Sequence, residues 1–387
     1  MPQKYTAAIV GCGSIGRSHI DGYRLNDIDV VAVVDPVAVA REDYMEEFDI
    51  PQGYASIEEM LEKARPDIVS ICTWHLLHHE LTIVAARPEV KGIICEKPMA
   101  IGLGHADSMI EACDASDTKL VISHQRRFTP GWEKGRELVQ AGAIGQPLMV
   151  NINSLQGLLN CGTHAIDGVR FVLGNPQPQW VMGAVDRDTD RHERAVAIED
   201  ACMGLVHFEG DIQLFVQSDL YLEKAVGGGG FEIRGTEGLI EINESQVRLL
   251  NDDGWQEVEL RMKKEEIRAI GGHSNGDQTR ELIAWLEGEV EEHRNSGRTA
   301  RVTVEIMMAL YESARRHQVI HLPLQEKDYP MDLMIAEEKL PVREPGWYDI
   351  RGFLRRDNVD QEAYKKLRAE GMDHFPALKK LHDEMGE

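Results

Sequence analysis

The sequence predicts a two-part α/β chain: a doubly wound parallel sheet at the N-terminus, then an α+β domain on a large, mostly antiparallel open sheet. Three observations predict it. Residues 7–123 alternate short β-rich apolar runs with helical patterns, as parallel βαβ units do. From about Phe128 strand-like runs dominate, separated by Gly and Asp turns. The length of 387 residues exceeds that of one ordinary domain.

The expected strands of the first part are 7–10, 30–35, 68–72, 92–95 and 119–123, with helices near 15–25, 37–48, 57–64, 76–86 and 103–115. The second part opens with a helix at 132–141, a strand at 147–155 and a helix at 162–173. Strands follow at 180–186, 201–208, 212–218, 229–234, 238–242 and 246–250. Two amphipathic helices, 276–293 and 303–317, close this domain, the latter with Thr303 as N-cap, before a strand at 319–322. The glycine run 227–230 reads as a turn, because no Lys-Ser or Lys-Thr pair follows it as a phosphate loop requires. These patterns divide the chain into 1–127, 128–324 and an extension, 325–387. The extension is an arm with Pro330, Pro341 and Pro345, then helical pieces at 361–371 and 376–385. Its Trp347, Tyr348 and Phe353 suit crossing to a neighbouring subunit, covering a cleft, or packing on its own subunit.

Composition narrows the function. Hydrophobic residues make up 42% and charged residues 28%, a balance that supports a packed core. Lys and Arg total 42 against 66 Asp and Glu, a net charge of -24, which repels nucleic acid and anionic lipid surfaces. An anionic cofactor is still compatible, since backbone amides at a helix terminus bind phosphate. No signal-like segment or membrane-length run is evident. The six cysteines show no metal-ligand spacing. The expectation is a cytoplasmic protein with reduced thiols.

Gly11, Gly13 and Gly16 form GxGxxG between the first strand and the first helix. Gly11 permits the tight turn, Gly13 lets a pyrophosphate approach the backbone, and Gly16 lets helix and sheet pack closely. Ser14 and Ile15 begin the helix whose N-terminal amides face that phosphate. Asp35 ends the second strand at about the expected distance, roughly 20 residues on. Its carboxylate suits the ribose hydroxyls of NAD and repels the 2'-phosphate of NADP. Asp35 before Pro36 also reads as a helix cap, and the two roles are compatible. The first part is therefore read as a Rossmann domain that binds NAD.

At the end of the fourth strand Glu96-Lys97-Pro98 reaches the carboxyl edge of the sheet, where ligands of this fold bind. Here the chain resembles the Gfo/Idh/MocA oxidoreductases, the family of glucose-fructose oxidoreductase and the inositol dehydrogenases, over roughly residues 5 to 322. Cys72-Thr73-Trp74-His75 with Leu77-His78 is similar to the family's strand-end segment, Trp74 standing for proline and His75 for asparagine. Gln125-Arg126-Arg127-Phe128 is similar to NRRF, and Gly235-Thr236-Glu237-Gly238 matches GTxG. Asn160-Cys161-Gly162-Thr163-His164-Ala165-Ile166-Asp167 resembles DxGxHxxD, with Asn160 in the aspartate position. On a regular helix Asn160, His164 and Asp167 would share one face.

The resemblance implies an NAD-dependent dehydrogenase of a CH-OH group in a sugar, sugar derivative or cyclitol, working as a homodimer or homotetramer. It implies catalytic roles for Lys97 and His164. Substrate would be held by Asn160, Asp167, Arg126 and Arg127, and the cofactor by Thr73, His75, His78, Glu96 and Lys97 beside the fingerprint. Plainer readings exist: Lys97 as an ion-pair partner of Glu96, His164 as a core histidine, Asp167 as its orienter. His75, His78 and His79 diverge in direction on their turn, so no metal is expected. Two alternatives stand beside the dehydrogenase: a relative that recycles its NAD to cleave or epimerise glycosides, and a non-catalytic NAD-binding sensor. A sensor has no need of the proton acceptors Lys97 and His164.

Overall fold

Strands that are apolar on both faces need helices on both sides, and the N-terminal third folds accordingly. The computed structural model describes residues 5–220, 230–267 and 271–385. In it β1 (Thr6–Val10), β2 (Asp29–Val34), β3 (Gly53–Tyr54), β4 (Ile68–Ile71), β5 (Gly92–Cys95) and β6 (Lys119–Ile122) form a parallel sheet. The order is β3-β2-β1-β4-β5-β6. Between them run α1 (Ser14–Arg24), α2 (Ala38–Phe48), α3 (Ile57–Lys63), α4 (His78–Ala85) and α5 (Leu103–Ala115). The five expected strands are present, and β3, only two residues long, is too short to leave a periodic signal.

The second part begins with α6 (Pro130–Gln140), β7 (Pro147–Ser154) and α7 (Thr163–Val172). It continues through β8 (Pro178–Asp186), β9 (Thr189–Glu193), β10 (Val196–Ala197), β11 (Ala201–Phe208) and β12 (Ile212–Ser218). Then come β13 (Phe231–Gly235), β14 (Leu239–Asn243), β15 (Gln246–Asn251), β16 (Gly254–Glu257), α8 (Gly272–Leu286), α9 (Gly297–Arg316) and β17 (Ile320–His321). Nine strands form one sheet, β16-β15-β14-β13-β7-β12-β11-β8-β17. Its one parallel pairing is β7 with β12. Alternation decides the faces: Val150, Ile152, Val206, Leu214 and Val216 are buried inward, whereas Met182 (49%), Met203 (55%) and Phe215 (37%) are exposed on the outer side. Of the glycine run only Gly230 lies within the described residues, so most of that expected turn falls outside them.

Three expectations are corrected. The first long helix ends at Leu286 rather than near 293, and it packs on α1: a Cβ on Gly22 would meet the Asn275 side chain at 2.9 Å. Its Leu282 joins the core of Ile9, Ile20, Ile94 and Val121 under the first sheet. Thr303 does not cap α9. That helix starts two turns earlier because the Ser296 hydroxyl accepts from the Thr299 amide at 3.2 Å, leaving Thr303 buried in mid-helix. The short pair β9–β10 was not foreseen, since its residues Thr189–Glu193 are polar.

After residue 325 come α10 (Pro330–Ala336), β18 (Glu344–Asp349), α11 (Gln361–Ala369) and α12 (His374–Met385). The extension packs on its own chain. β18 runs parallel to β9 in a small sheet, β10-β9-β18. Tyr364, Leu367, Leu378 and Leu381 build a separate apolar cluster. Arg356–Asp43 (2.6 Å) and Arg368–Glu47 (3.4 Å) then fasten it to α2. Among the described residues no helix is long and apolar enough to cross a membrane.

Helix α9 lies so near β8 that a Cβ at Gly183 would meet the Leu310 carbonyl oxygen at 2.5 Å, while the Gly183 amide donates to Ser313 Oγ at 2.9 Å. Gly183→Ala should therefore push helix and sheet apart and lower the unfolding free energy by about 1–3 kcal/mol in urea titrations. An unchanged midpoint would mean that this contact does not hold the helix down.

Candidate active site

The fingerprint loop is shaped by backbone contacts. Gly11 has φ +101°, and a Cβ there would lie 2.7 Å from the Cys72 carbonyl oxygen. At Gly16 a Cβ would press Ile9 at 3.1 Å. Asp35, at the end of β2, accepts from the Cys12 amide at 3.0 Å and from the Val37 amide at 2.9 Å. It thus ties the loop to the start of α2. Gly13 differs from its neighbours: nothing lies within 4 Å of its Cβ position, and it faces a cleft together with Ser14 and Ile15. No protein atom requires glycine there. A phosphate drawn against the backbone and the uncapped N-terminus of α1 does require it, so these residues fit a dinucleotide.

The cleft, about 350 Å³, runs from this loop to the carboxyl ends of β4 and β5 and under the second part of the chain. Thr73, Glu96, Lys97, Arg126, Asn160 and His164 line it. Glu96 is buried and accepts from His19 Nε2 at 3.1 Å. Burial pushes its carboxyl up, but the His19 hydrogen bond and charge, with Lys97 and Ser123, outweigh this and hold it below its ordinary range. Lys97 Nζ donates to the Asn160 carbonyl oxygen at 3.0 Å and to its Oδ1 at 3.5 Å. Desolvation holds the Lys97 ammonium below the ordinary lysine range, with Arg194 pushing the same way and Glu96 and Glu193 opposing. His164 is buried, and its Nδ1 has no hydrogen-bond partner in the protein. Burial, then Arg126 and Lys97, push its pKa well down, so the imidazole is neutral near pH 7.

The expected single stripe of Asn160, His164 and Asp167 is split. Residues Leu158–Gly162 form a π-helical turn before α7, whose wider winding breaks the 3.6-residue register. Asn160 and His164 face the cleft, whereas Asp167 turns the other way. Its carboxylate takes a bidentate pair of bonds from Arg127, both 2.6 Å, and lies 3.3 Å from His124 Nδ1 and from Thr303 Oγ1. Arg127 and Asp167 are 0% and 1% exposed. They are thus spent on each other, away from the cleft where substrate contacts were expected. Arg126 does face the cleft, paired with Glu244 at 3.0 Å.

His75 and His78 also lie behind the wall rather than in it. His78 is buried, with its ring nitrogens 2.8 Å from the Pro98 oxygen and 3.2 Å from the Thr73 oxygen, and desolvation lowers its pKa to about 4. It braces the loops that present Thr73 and Lys97. His75 is buried 3.2 Å from Glu193. Among the described residues no group of three or more His, Cys, Asp and Glu side chains is arranged to hold a metal.

Sequence reasoning missed several lining residues: Gln125 and Trp74, which sit inside recognised motifs, and Arg194, Arg351, Leu354, His374 and Phe375, which do not. The last four belong to the extension, which roofs its own cleft. The aromatic content of that segment was the one available signal.

A Rossmann sheet with this fingerprint, a lysine at the end of its fourth long strand and a neutral histidine across the cleft define a nicotinamide-dependent oxidoreductase. The chain belongs to the Gfo/Idh/MocA family. Its residues 5–124 match the oxidoreductase family's NAD-binding Rossmann fold, and residues 157–322 match the family's C-terminal alpha/beta domain. It is 24% identical over 367 residues to D-apiose dehydrogenase of Paraburkholderia graminis, covering 85% of this chain and 92% of that one. It is 30% identical over 181 residues to myo-inositol 2-dehydrogenase of Thermotoga maritima, covering 43% and 54% respectively. In fold it is similar to the WlbA dehydrogenase of Bordetella pertussis, solved with NADH and UDP-GlcNAcA (TM-score 0.72, 20% identity, 84% of this chain and 99% of that one). An Agrobacterium radiobacter oxidoreductase solved with NAD+, L-tartaric acid and magnesium gives 0.71 at 20% identity, covering 82% and 98%.

The Arg127–Asp167 pair generates a test that separates scaffold from substrate contact. Asp167→Asn strands a buried guanidinium, so it should cost about 3–5 kcal/mol of stability in chemical denaturation. Retained stability with a raised KM would instead return Asp167 to the substrate.

Proposed function

We propose that the chain is an NAD-dependent dehydrogenase of a CH-OH group in a sugar, sugar derivative or cyclitol. The observation that carries this reading is the desolvated Lys97 amine, held by Asn160 in the same cleft as the Gly13 cradle and His164, whose Nδ1 has no hydrogen-bond partner. Sugar and cyclitol dehydrogenases among the relatives, with 1,5-anhydro-D-fructose reductase of Ensifer adhaerens at 29% identity over 253 residues (60% of this chain, 74% of that one), support a hydroxylated substrate.

Bound NAD supplies the hydride acceptor. Lys97 takes the hydroxyl proton, which it does only as the free amine, and desolvation favours that form. Neutral His164 holds a substrate hydroxyl as donor or acceptor. Asn160 positions Nζ through two oxygens without adding charge. Arg126 and Asn160 offer further polar contacts, and Thr73 and Glu96 shape the nicotinamide end. We place the protein in the cytoplasm, in keeping with its six free cysteines.

The proposed assembly is a homodimer or homotetramer that covers the outer face of the large sheet. There Leu205 pairs across strands with both Met182 and Phe215, beside exposed Met203, a row of apolar side chains that a second copy would cover. Light scattering at micromolar concentration should give a dimer or larger, with Met182→Lys shifting it toward monomer. A wild-type monomer ends this assignment.

A sugar and cyclitol panel should yield NADH absorbance with at least one member. Product without net NADH points to recycling, and neither result leaves the sensor. Lys97→Ala should lower kcat by about 10²–10⁴-fold, and Lys97→Arg should not rescue it. Oxidation should fail as pH drops through a lysine pKa lying below the ordinary value of about 10.4. Asn160→Asp places a carboxylate beside Nζ, favours the ammonium and should move that limb to higher pH. Near-wild-type kcat in Lys97→Ala would overturn the assignment.

A further inference from the structure

The hairpin β9–β10 and the extension meet at one carboxylate. Asp349 accepts from the amides of Arg194 (2.9 Å), Ala195 (2.7 Å) and Arg351 (2.9 Å). Arg194 and Ala195 form the tip of the hairpin, with φ of +50° and +65°. Non-glycine residues are rarely stable there, so the Asp349 bonds hold a turn that sequence alone disfavours. One side chain thereby sets the position of two arginines from distant parts of the chain, and both residues line the cleft.

Their location in the cleft follows from a chain of contacts. The Arg351 guanidinium donates to Gln156 Oε1, the Asn160 side-chain amide donates to the same oxygen at 3.4 Å, and Lys97 Nζ donates to Asn160. Arg351 therefore stands on the side of the reacting lysine. Its ring neighbour is Phe375, 5.1 Å from the guanidinium carbon, and it forms no ion pair with a carboxylate among the described residues. Arg194 has Glu193 at 2.9 Å, but that carboxylate is buried and also faces His75. Among the described residues the one acidic side chain lining the cleft is Glu96, already bonded to His19. Of the four cations that line the cleft, Arg126 is paired with Glu244 and Arg194 with Glu193, while Lys97 and Arg351 form no ion pair with a carboxylate among the described residues, and in a protein of net charge -24 that uncompensated positive charge suits an anion.

We propose that the substrate carries an oxyanion, a carboxylate or phosphate, held between Arg194 and Arg351. The extension thus completes the substrate site by supplying Arg351. This rests on the dehydrogenase reading of the cleft and narrows its substrate class from polyols in general to acidic or phosphorylated ones. Guanidinium groups suit the task because their planar donors match both oxygens of such a group. Asp349 acts as a positioning residue.

The test uses the full-length protein loaded with NADH, titrated calorimetrically at constant ionic strength. Probes are D-glucuronate, D-gluconate and D-glucose 6-phosphate, against neutral D-glucose and myo-inositol. At least one anion should bind about tenfold or more tighter than either neutral probe, and comparing carboxylates with phosphate identifies which oxyanion fits. Arg351→Gln and Arg194→Gln, each checked by circular dichroism and retained NADH affinity, should weaken that anion about ten- to a hundredfold and leave neutral probes unchanged. Asp349→Asn should raise KM for the anion with kcat largely preserved. Equal or better binding of a neutral probe, absence of anion binding, or full anion affinity in Arg351→Gln overturns the proposal. Failure of the underlying reading looks different: the anion binds through Arg351, yet the NAD-loaded enzyme never reduces its cofactor.

Discussion

The Arg127 guanidinium and the Asp167 carboxylate meet in a region almost sealed from solvent, each already stripped of its hydration. Arg127 follows the last strand of the Rossmann sheet, and Asp167 lies on the helix that carries His164. Burying both charges costs several kcal/mol per ion, so the arrangement persists only because bonds saturate it: two parallel bonds of 2.6 Å, a third from Arg127 to the Arg294 carbonyl at 2.9 Å, and contacts from His124 and Thr303 to the carboxylate. Breaking any part strands a charge. The pair is consequently a stiff joint, and it fixes the turn holding Asn160 relative to the loop holding Lys97, two segments 63 residues apart in sequence.

A second joint closes the cleft from the opposite side. Asp349 binds three amides at once, and its neighbours reach in two directions: β18 lies along β9, while Arg356 and Arg368 bind α2 of the Rossmann unit. The extension therefore spans from the substrate side of the cleft to the cofactor side. By roofing the cavity it removes water from around Lys97 and His164. Desolvation of this kind drives both toward their neutral forms.

The residues legible in sequence were those whose role is fixed by backbone position. Gly11, Gly13 and Gly16 follow a strand at set spacing, and Lys97 sits at a strand end, so topology alone brings them to one edge. What spacing does not encode is which polar side chain pairs with which. Arg127 and Asp167 look like site residues because an isolated Arg or Asp is rarely buried; only the fold reveals that each is the other's partner. His75 and His78 follow the same logic, since a turn decides on which side of the wall they fall. Arg194 and Arg351 escaped for another reason. Their segments, 189–197 and 344–351, pair with each other, and the first is polar along Thr189–Glu193 while the second is exposed along most of its length, so neither shows the apolar alternation by which strands are recognised.

These joints give the charge pattern of the cleft a single logic. A lysine acting as proton acceptor must resist protonation, and a carboxylate beside it would defeat that. Asn160 supplies geometry with a neutral amide, while Glu96 is engaged by His19 and the Glu193 carboxylate is pushed up toward protonation by burial. Arg194 adds repulsion that favours the free amine at Lys97. In the proposed complex a carboxylate would bring its negative charge to a pair of guanidinium groups of which Arg194 already has Glu193 at 2.9 Å. In the proposed site Arg194 therefore has two roles, a contact to the substrate anion and a lesser push, behind desolvation, toward the free amine at Lys97, and Asp349 holds it in register with Arg351 through their backbone amides.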